Sequence, residues 1–136
     1  GFRVWYGFAH HALIENLLKV KLPFEPSIPA QEAALSALDD INHLEETLKI
    51  NTLGMKYFYK EFDKLGLEYI PSIANFVTIL LPNSKEANYL LKTLLENGVI
   101  VRGLNSFGLP HCLRISIGTM EENMFFINKI NKIINS

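Results

Sequence analysis

The sequence contains one cysteine, Cys112, and almost no excess charge of either sign. A single cysteine excludes an internal disulfide framework and any zinc site built from several cysteines. An unpaired thiol fits a reducing compartment, so the cytoplasm is the expected location. The 13 Lys and Arg residues nearly balance the 14 Asp and Glu residues. This balance predicts neither a nucleic-acid partner nor a polybasic surface for membranes.

Several functional motifs are also lacking. The sequence has no apolar run approaching the ~20 residues of a membrane span and no recognisable targeting segment. It has no glycine-rich phosphate loop, nucleophile elbow or paired-carboxylate pattern. The four histidines are either adjacent or isolated, so no metal site is predicted. The first residues form an apolar run without an initiator Met, from which we expect a piece of a longer protein.

The first half of the chain predicts one strand and several helices. Aromatic and β-branched residues predict a strand over 2–9, and a short helix is expected over 11–19. Three prolines between positions 23 and 29 predict a stiff connector. A helix over 30–38 should follow, after which Asp39 and Asp40 can break or recap the helix.

A longer helix is predicted over residues 41–65. Its apolar residues recur at spacings of three, four and seven, which gives a one-sided helical stripe. Gly66 is a suitable left-handed stop. Gly54 costs the helix about 1 kcal/mol relative to alanine and is interpreted as a bend.

Beyond Gly66 the pattern is typical of an α+β unit with an open antiparallel or mixed sheet. Strands are predicted over 75–81, 99–101 and 113–117, with a loop over 104–111. Helices are predicted over 85–96 and 121–134. Thr119 and Glu122 form a capping box at the start of the last helix.

Arginines in apolar strands are the strongest candidate functional residues. Arg102 follows three apolar residues, and Arg114 lies within the strand 113–117. Burying a guanidinium without a partner is costly, whereas its planar fork of donors suits a phosphate or carboxylate. The alternative is an exposed arginine, or one paired with a local acid such as Glu121 or Glu122. Arg3 lies in an aromatic run and is more simply explained as an arginine facing water.

Several blocks of the sequence resemble histidinol-phosphate aminotransferases, fold-type I enzymes that use pyridoxal 5'-phosphate. The blocks keep the family's order and spacing over nearly the whole chain. They are Gly1-Phe2-Arg3-Val4 with Tyr6-Gly7, Lys19 to Ser27, Ala74-Asn75-Phe76-Val77, Gly98 to Arg102, and Phe107-Gly108-Leu109-Pro110 through Leu113 to Asn123.

The resemblance implies a role for each arginine. Arg3 matches the arginine that contacts the cofactor phosphate. Arg114 matches the arginine that holds the substrate carboxylate in related aminotransferases and meets the substrate phosphate in the histidinol-phosphate branch. Arg102 matches a second phosphate-contacting arginine of that branch. Two guanidiniums suit a doubly charged phosphate better than one.

The resemblance also shows what this sequence lacks. The family's Schiff-base lysine would lie about eight residues before Arg3, and Lys19 and Lys21 belong to another block. No catalytic residue is therefore assigned, and we expect the cofactor in the full-length enzyme and not in this chain. Trp5 replaces a usual glycine, and Gly103 stands where many members have proline.

The resemblance implies that this chain is the C-terminal part of such an enzyme. Residues 1–26 would belong to the large cofactor-binding domain, 27–66 to bridging helices, and 67–136 to a small α+β domain. The full enzyme would transfer an amino group between L-histidinol phosphate and 2-oxoglutarate, and a homo-oligomer is expected. The alternative is a stand-alone module that binds an anion or a partner chain without catalysis.

Overall fold

The computed structural model of the chain describes residues 4–135. Two compact units divide between Glu45 and Glu46, and each is described here by itself. No helix within the described residues is both long and apolar enough to cross a membrane.

The first unit is helical. Helix α1 spans His11–Val20 and helix α2 spans Ile28–Asp39, with Pro29 in its first turn. Asp40 then caps the start of helix α3, because its carboxylate accepts a hydrogen bond of 3.0 Å from the backbone N–H of His43. The sequence predicted these helices and this cap, and the structure confirms them.

The strand predicted over residues 2–9 is not formed in the described part of that segment. Residues 4–10 have no regular secondary structure, while Phe2 and Arg3 lie outside the described residues. A strand needs a neighbour for its backbone hydrogen bonds, and no described strand pairs with this segment. Aromatic and β-branched composition was therefore insufficient evidence for a strand.

Helix α3 runs over Ile41–Leu65 and continues from the first unit into the second. It ends where predicted, because Gly66 adopts φ 65°, a left-handed conformation that glycine accepts readily. Phe58 and Phe62 of its apolar stripe are buried in the core of the second unit.

The second unit is a four-stranded antiparallel sheet with helices, which confirms the predicted α+β class. Its strands lie in the order β1-β2-β4-β3. The elements after α3 are β1 Glu68–Ile70, β2 Phe76–Leu80, α4 Ser84–Glu96, β3 Arg102–Leu104, a 3₁₀ turn Asn105–Phe107, β4 Leu109–Ser116 and α5 Met120–Ile134. The capping box at α5 is present as predicted.

Within the second unit, one predicted strand and one predicted loop were wrong, and one strand was missed. Residues 99–101 form no strand, since the N–H of Val99 bonds to the carbonyl of Leu94 at the end of α4. The predicted loop 104–111 instead contains the 3₁₀ turn and the start of β4, with Pro110 near the strand's beginning. Strand β1 was missed because its three residues carry no alternating apolar pattern.

One face of the sheet packs against the helices. Val77 and Ile79 of β2, and Leu113 and Ile115 of β4, are buried in one cluster with aromatic residues of α3 and α5. Side chains alternate between the two faces of a strand. The even-numbered residues of β2 and β4, including Thr78 and Arg114, therefore lie on the opposite face.

Gly54 allows α3 to approach the turn between β4 and α5 closely. An added Cβ would lie 2.5 Å from Cγ2 of Ile117 and 2.7 Å from Nδ2 of Asn123. Asn123 is itself buried and fixes this turn, because its side chain both accepts from the N–H of Gly118 and donates to its carbonyl, each at 3.0 Å. The helix assignment is continuous through Gly54, so close packing explains this glycine better than the predicted bend.

We therefore expect Gly54→Ala to lower the free energy of unfolding by about 1–3 kcal/mol, the usual cost of overpacking. Alanine's better helix propensity, worth about 1 kcal/mol, would offset only part of the clash. Thr52→Ala at an exposed position of the same helix is the matched control and should change stability by no more than about 0.5 kcal/mol. Urea unfolding followed by circular dichroism measures both, and equal midpoints would contradict the packing role.

Large apolar side chains remain exposed along the first 50 residues. Trp5 is 89% and Phe8 94% exposed, and Leu44 and Leu48 on α3 are both more than half exposed. Apolar surfaces of this kind promote association between molecules.

We expect the chain to form dimers or larger species in solution. Changing Leu44 and Leu48 together to lysine should shift the distribution towards monomer, while Lys85→Ala, at an exposed position of α4, should not. Light scattering after gel filtration measures the mass. A monomer at high concentration that binds no hydrophobic dye would contradict this expectation.

Candidate anion site

Strands β3 and β4 place two arginines directly opposite each other. Arg102 is the register partner of Arg114, and Thr78 of β2 is the partner of Arg114 on the other side. The three residues thus form a row across the sheet, on the face opposite the buried Leu113 and Ile115. Sequence reasoning selected both arginines, and the structure brings them together.

Arg102 and Arg114 carry like charges and occupy facing positions of two paired strands, an arrangement that destabilises a sheet unless something compensates. The ion pairs found among residues 4–135 involve other residues: His11 with Glu15, Lys64 with Glu61, and Lys92 with Glu96. The alternative pairing with Glu121 or Glu122 is therefore absent from the described residues. Glu122 instead bonds to Thr119 in the capping box.

Arg114 also has an unused donor. Its Nε is buried and has no hydrogen-bond partner among the described residues. A buried donor without a partner costs about 1–3 kcal/mol. An anion bound between the arginines would reduce their mutual repulsion.

Aromatic rings contact both guanidiniums. The central carbon of the Arg114 guanidinium lies 4.9 Å from the ring centre of Phe76, and that of Arg102 lies 5.5 Å from the ring centre of Phe107. Both distances fall within the range of cation–π attraction. Sequence reasoning did not assign these rings a role. Phe76 could have been found from strand alternation, since it lies two residues from Thr78 on the same face.

A cavity of about 450 Å³ adjoins the arginine pair. Its lining includes Arg102, Arg114, Gly103 and Ser116. A small anion or the phosphate end of a larger molecule fits such a volume.

Among the described residues, those that line the cavity include no lysine, and Lys19 and Lys21 both belong to the first unit. Arg3, the residue expected at the cofactor phosphate, lies outside the described residues. The described residues present two arginines that face each other across β3 and β4 and line one cavity.

Comparison with known proteins identifies the family. The profile described as "Aminotransferase class I and II" matches residues 1–130. The chain belongs to the class I and II aminotransferase family. The chain is 40% identical to histidinol-phosphate aminotransferase 1 of Nitrosococcus oceani and 39% identical to histidinol-phosphate aminotransferase of Akkermansia muciniphila, each over 134 residues. The alignments cover 98% of this chain and 36% of each relative.

Solved aminotransferase structures share its fold. The structure of histidinol-phosphate aminotransferase from Sinorhizobium meliloti in complex with pyridoxal-5'-phosphate matches with a TM-score of 0.82 at 22% identity, covering 91% of this chain and 34% of that one. The enzyme from Clostridium acetobutylicum matches with a TM-score of 0.80 at 25% identity, covering 91% and 38% respectively. The chain spans about 36% of the length of these two curated relatives.

We expect the two arginines to bind inorganic phosphate as one site. In an NMR titration, the Nε–Hε signals of Arg102 and Arg114 should shift together with a single dissociation constant. Arg114→Ala should weaken the response of Arg102 about tenfold or more, as the loss of a charged hydrogen bond predicts. Added NaCl should also weaken binding through screening.

The control for this titration is Lys85→Ala, which removes a cation that does not line the cavity. This variant should bind phosphate with unchanged affinity. Independent responses of the two arginines, or an Arg102 response that survives Arg114→Ala unchanged, would show that no shared site exists.

Proposed function

We propose that this chain is the C-terminal part of a histidinol-phosphate aminotransferase and that Arg102 and Arg114 bind the phosphate of its substrate. The observation that carries the proposal is the direct pairing of the two arginines across β3 and β4, with an unused buried donor on Arg114. The similarity to histidinol-phosphate aminotransferases over 98% of the chain supports the choice of substrate.

The arginine pair suits both substrates of the proposed reaction. L-histidinol phosphate would present a phosphate and 2-oxoglutarate a carboxylate. A guanidinium binds either group through two parallel N–H···O bonds. Two guanidiniums matched to a doubly charged phosphate would position the amino end of histidinol phosphate at a fixed distance from the pair. The residues of this chain therefore bind and orient the substrate.

The amino-transfer chemistry would come from pyridoxal 5'-phosphate in the longer enzyme, with Arg3 at the cofactor phosphate. The proposed division assigns residues 1–26 to the large domain, 27–66 to bridging helices and 67–136 to the small domain. A cytoplasmic homo-oligomer is the proposed form of the longer enzyme. This chain alone is proposed to bind the substrate phosphate without binding the cofactor productively.

We expect no transaminase activity from this chain alone, because no position in it matches the Schiff-base lysine. The purified chain is mixed with pyridoxal 5'-phosphate, L-histidinol phosphate and 2-oxoglutarate, and glutamate formation is followed. An intact histidinol-phosphate aminotransferase is the positive control. Turnover on the order of 1 to 10³ per second, as in ordinary enzymes, would contradict the prediction.

The competing proposal is a stand-alone module that binds an anion or a partner chain. The two arginines would suit such a module equally well. The coding sequence upstream of this chain distinguishes the two proposals. A coding sequence upstream that places a lysine about eight residues before Arg3, after a large α/β domain, supports the aminotransferase. A start codon next to Gly1 supports the module.

A further inference from the structure

We propose that Phe76 and Phe107 are positioning residues that hold the two guanidiniums of the anion site in place while leaving their charge available to the substrate. The inference rests on the proposed function and deepens it. It concerns how the side chains of two arginines paired across β3 and β4 keep their positions before any substrate arrives.

Phe76 is placed by the sheet to hold Arg114. It is the register partner of Ser116 on β4, and Arg114 is the partner of Thr78, so Phe76 is the diagonal neighbour of Arg114 on the same face. Long and aromatic side chains reach each other at diagonal positions. The measured 4.9 Å between the guanidinium carbon and the ring centre shows this contact.

Phe107 holds Arg102 from the other end of the row. It is the last residue of the 3₁₀ turn that follows β3, and Gly108 closes this turn with φ 75°. The N–H of Gly108 donates to the carbonyl of Asn105 at 3.1 Å. The turn brings the ring of Phe107 back to 5.5 Å from the guanidinium carbon of Arg102. Each arginine is therefore held by a ring from a different element.

A ring has an advantage over a carboxylate in this position. A carboxylate would fix the arginine by neutralising it and by occupying the N–H groups that the substrate needs. A phenyl ring attracts the guanidinium through its face and accepts none of the hydrogen bonds that an anion would accept. The rings can thus reduce side-chain motion without competing with phosphate.

The test compares leucine and tyrosine at each ring in the full chain. Phe76→Leu and Phe107→Leu keep apolar volume but remove the ring, and each should weaken inorganic phosphate binding by up to about two- to thirtyfold, the range that corresponds to a cation–π contact. Phe76→Tyr and Phe107→Tyr keep the ring and should restore affinity. The dissociation constant comes from the Nε–Hε titration of the arginines.

A spectroscopic readout separates positioning from general stability. In the free protein the ring of Phe76 should shift the Arg114 side-chain proton signals, and Phe76→Leu should abolish this shift while Phe76→Tyr retains it. Thermal unfolding identifies any variant that fails to fold. Phe107 is mostly exposed, so if Phe76→Leu does not fold, Phe107→Leu with the Arg102 signals decides the question.

The outcomes distinguish this inference from the proposed function. If folded leucine variants bind phosphate as tightly as the original chain while Arg114→Ala abolishes binding, the rings do not position the arginines and the anion site stands. If Arg114→Ala leaves phosphate binding unchanged, the anion site itself is wrong. If tyrosine fails to restore what leucine removes, the effect is not due to the ring, and the inference is overturned.

Discussion

The register between β3 and β4 is the constraint on which the candidate site depends. It sets Arg102 directly opposite Arg114, although facing like charges oppose this pairing. A slip of one residue would turn the side chains of one strand to the other face of the sheet. The packing of β4 resists such a slip of this strand, because Leu113 and Ile115 are buried in one cluster with aromatic residues of α3 and α5. The hydrophobic core thus stabilises an arrangement that electrostatics alone would not keep.

The helices reinforce this register from the edge of the sheet. Gly103 follows Arg102 and faces Leu113 across the strands. A Cβ at this glycine would lie 3.2 Å from Cδ2 of Leu91, so the absence of a side chain lets α4 pack closely on β3. Strand β3 has only three residues, and its position therefore depends on this packing as well as on its pairing with β4. Gly103 stands where many family members have proline, and at this position the small size of glycine allows the close packing of α4.

The sequence predicted those elements whose determinants are local. The stripe of α3, the Asp40 cap, the Gly66 stop and the capping box of α5 each depend on residues within a few positions of one another. Strands depend on distant partners, and the errors occurred there. The N–H of Val99 bonds to the carbonyl of Leu94 at the end of α4 instead of to a neighbouring strand. The segment predicted as a strand over 2–9 has strand composition, but among the described residues no strand pairs with it.

The same limit applies to the candidate site: its two arginines could be selected from the sequence, but their arrangement could not be predicted. An arginine among apolar residues is conspicuous, so Arg102 and Arg114 could be selected from the sequence. Their direct opposition, and the rings beside them, depend on a register that no local pattern specifies. The absence of a carboxylate partner among the described residues also required the structure, since Glu122 was a plausible partner until its role in the capping box was visible. Arg102 and Arg114 contact uncharged rings, so their electrostatic state differs from that of arginines in structural ion pairs. In an ion pair, a carboxylate would neutralise each arginine. Beside the rings, both arginines keep their positive charge, which favours the binding of an anion.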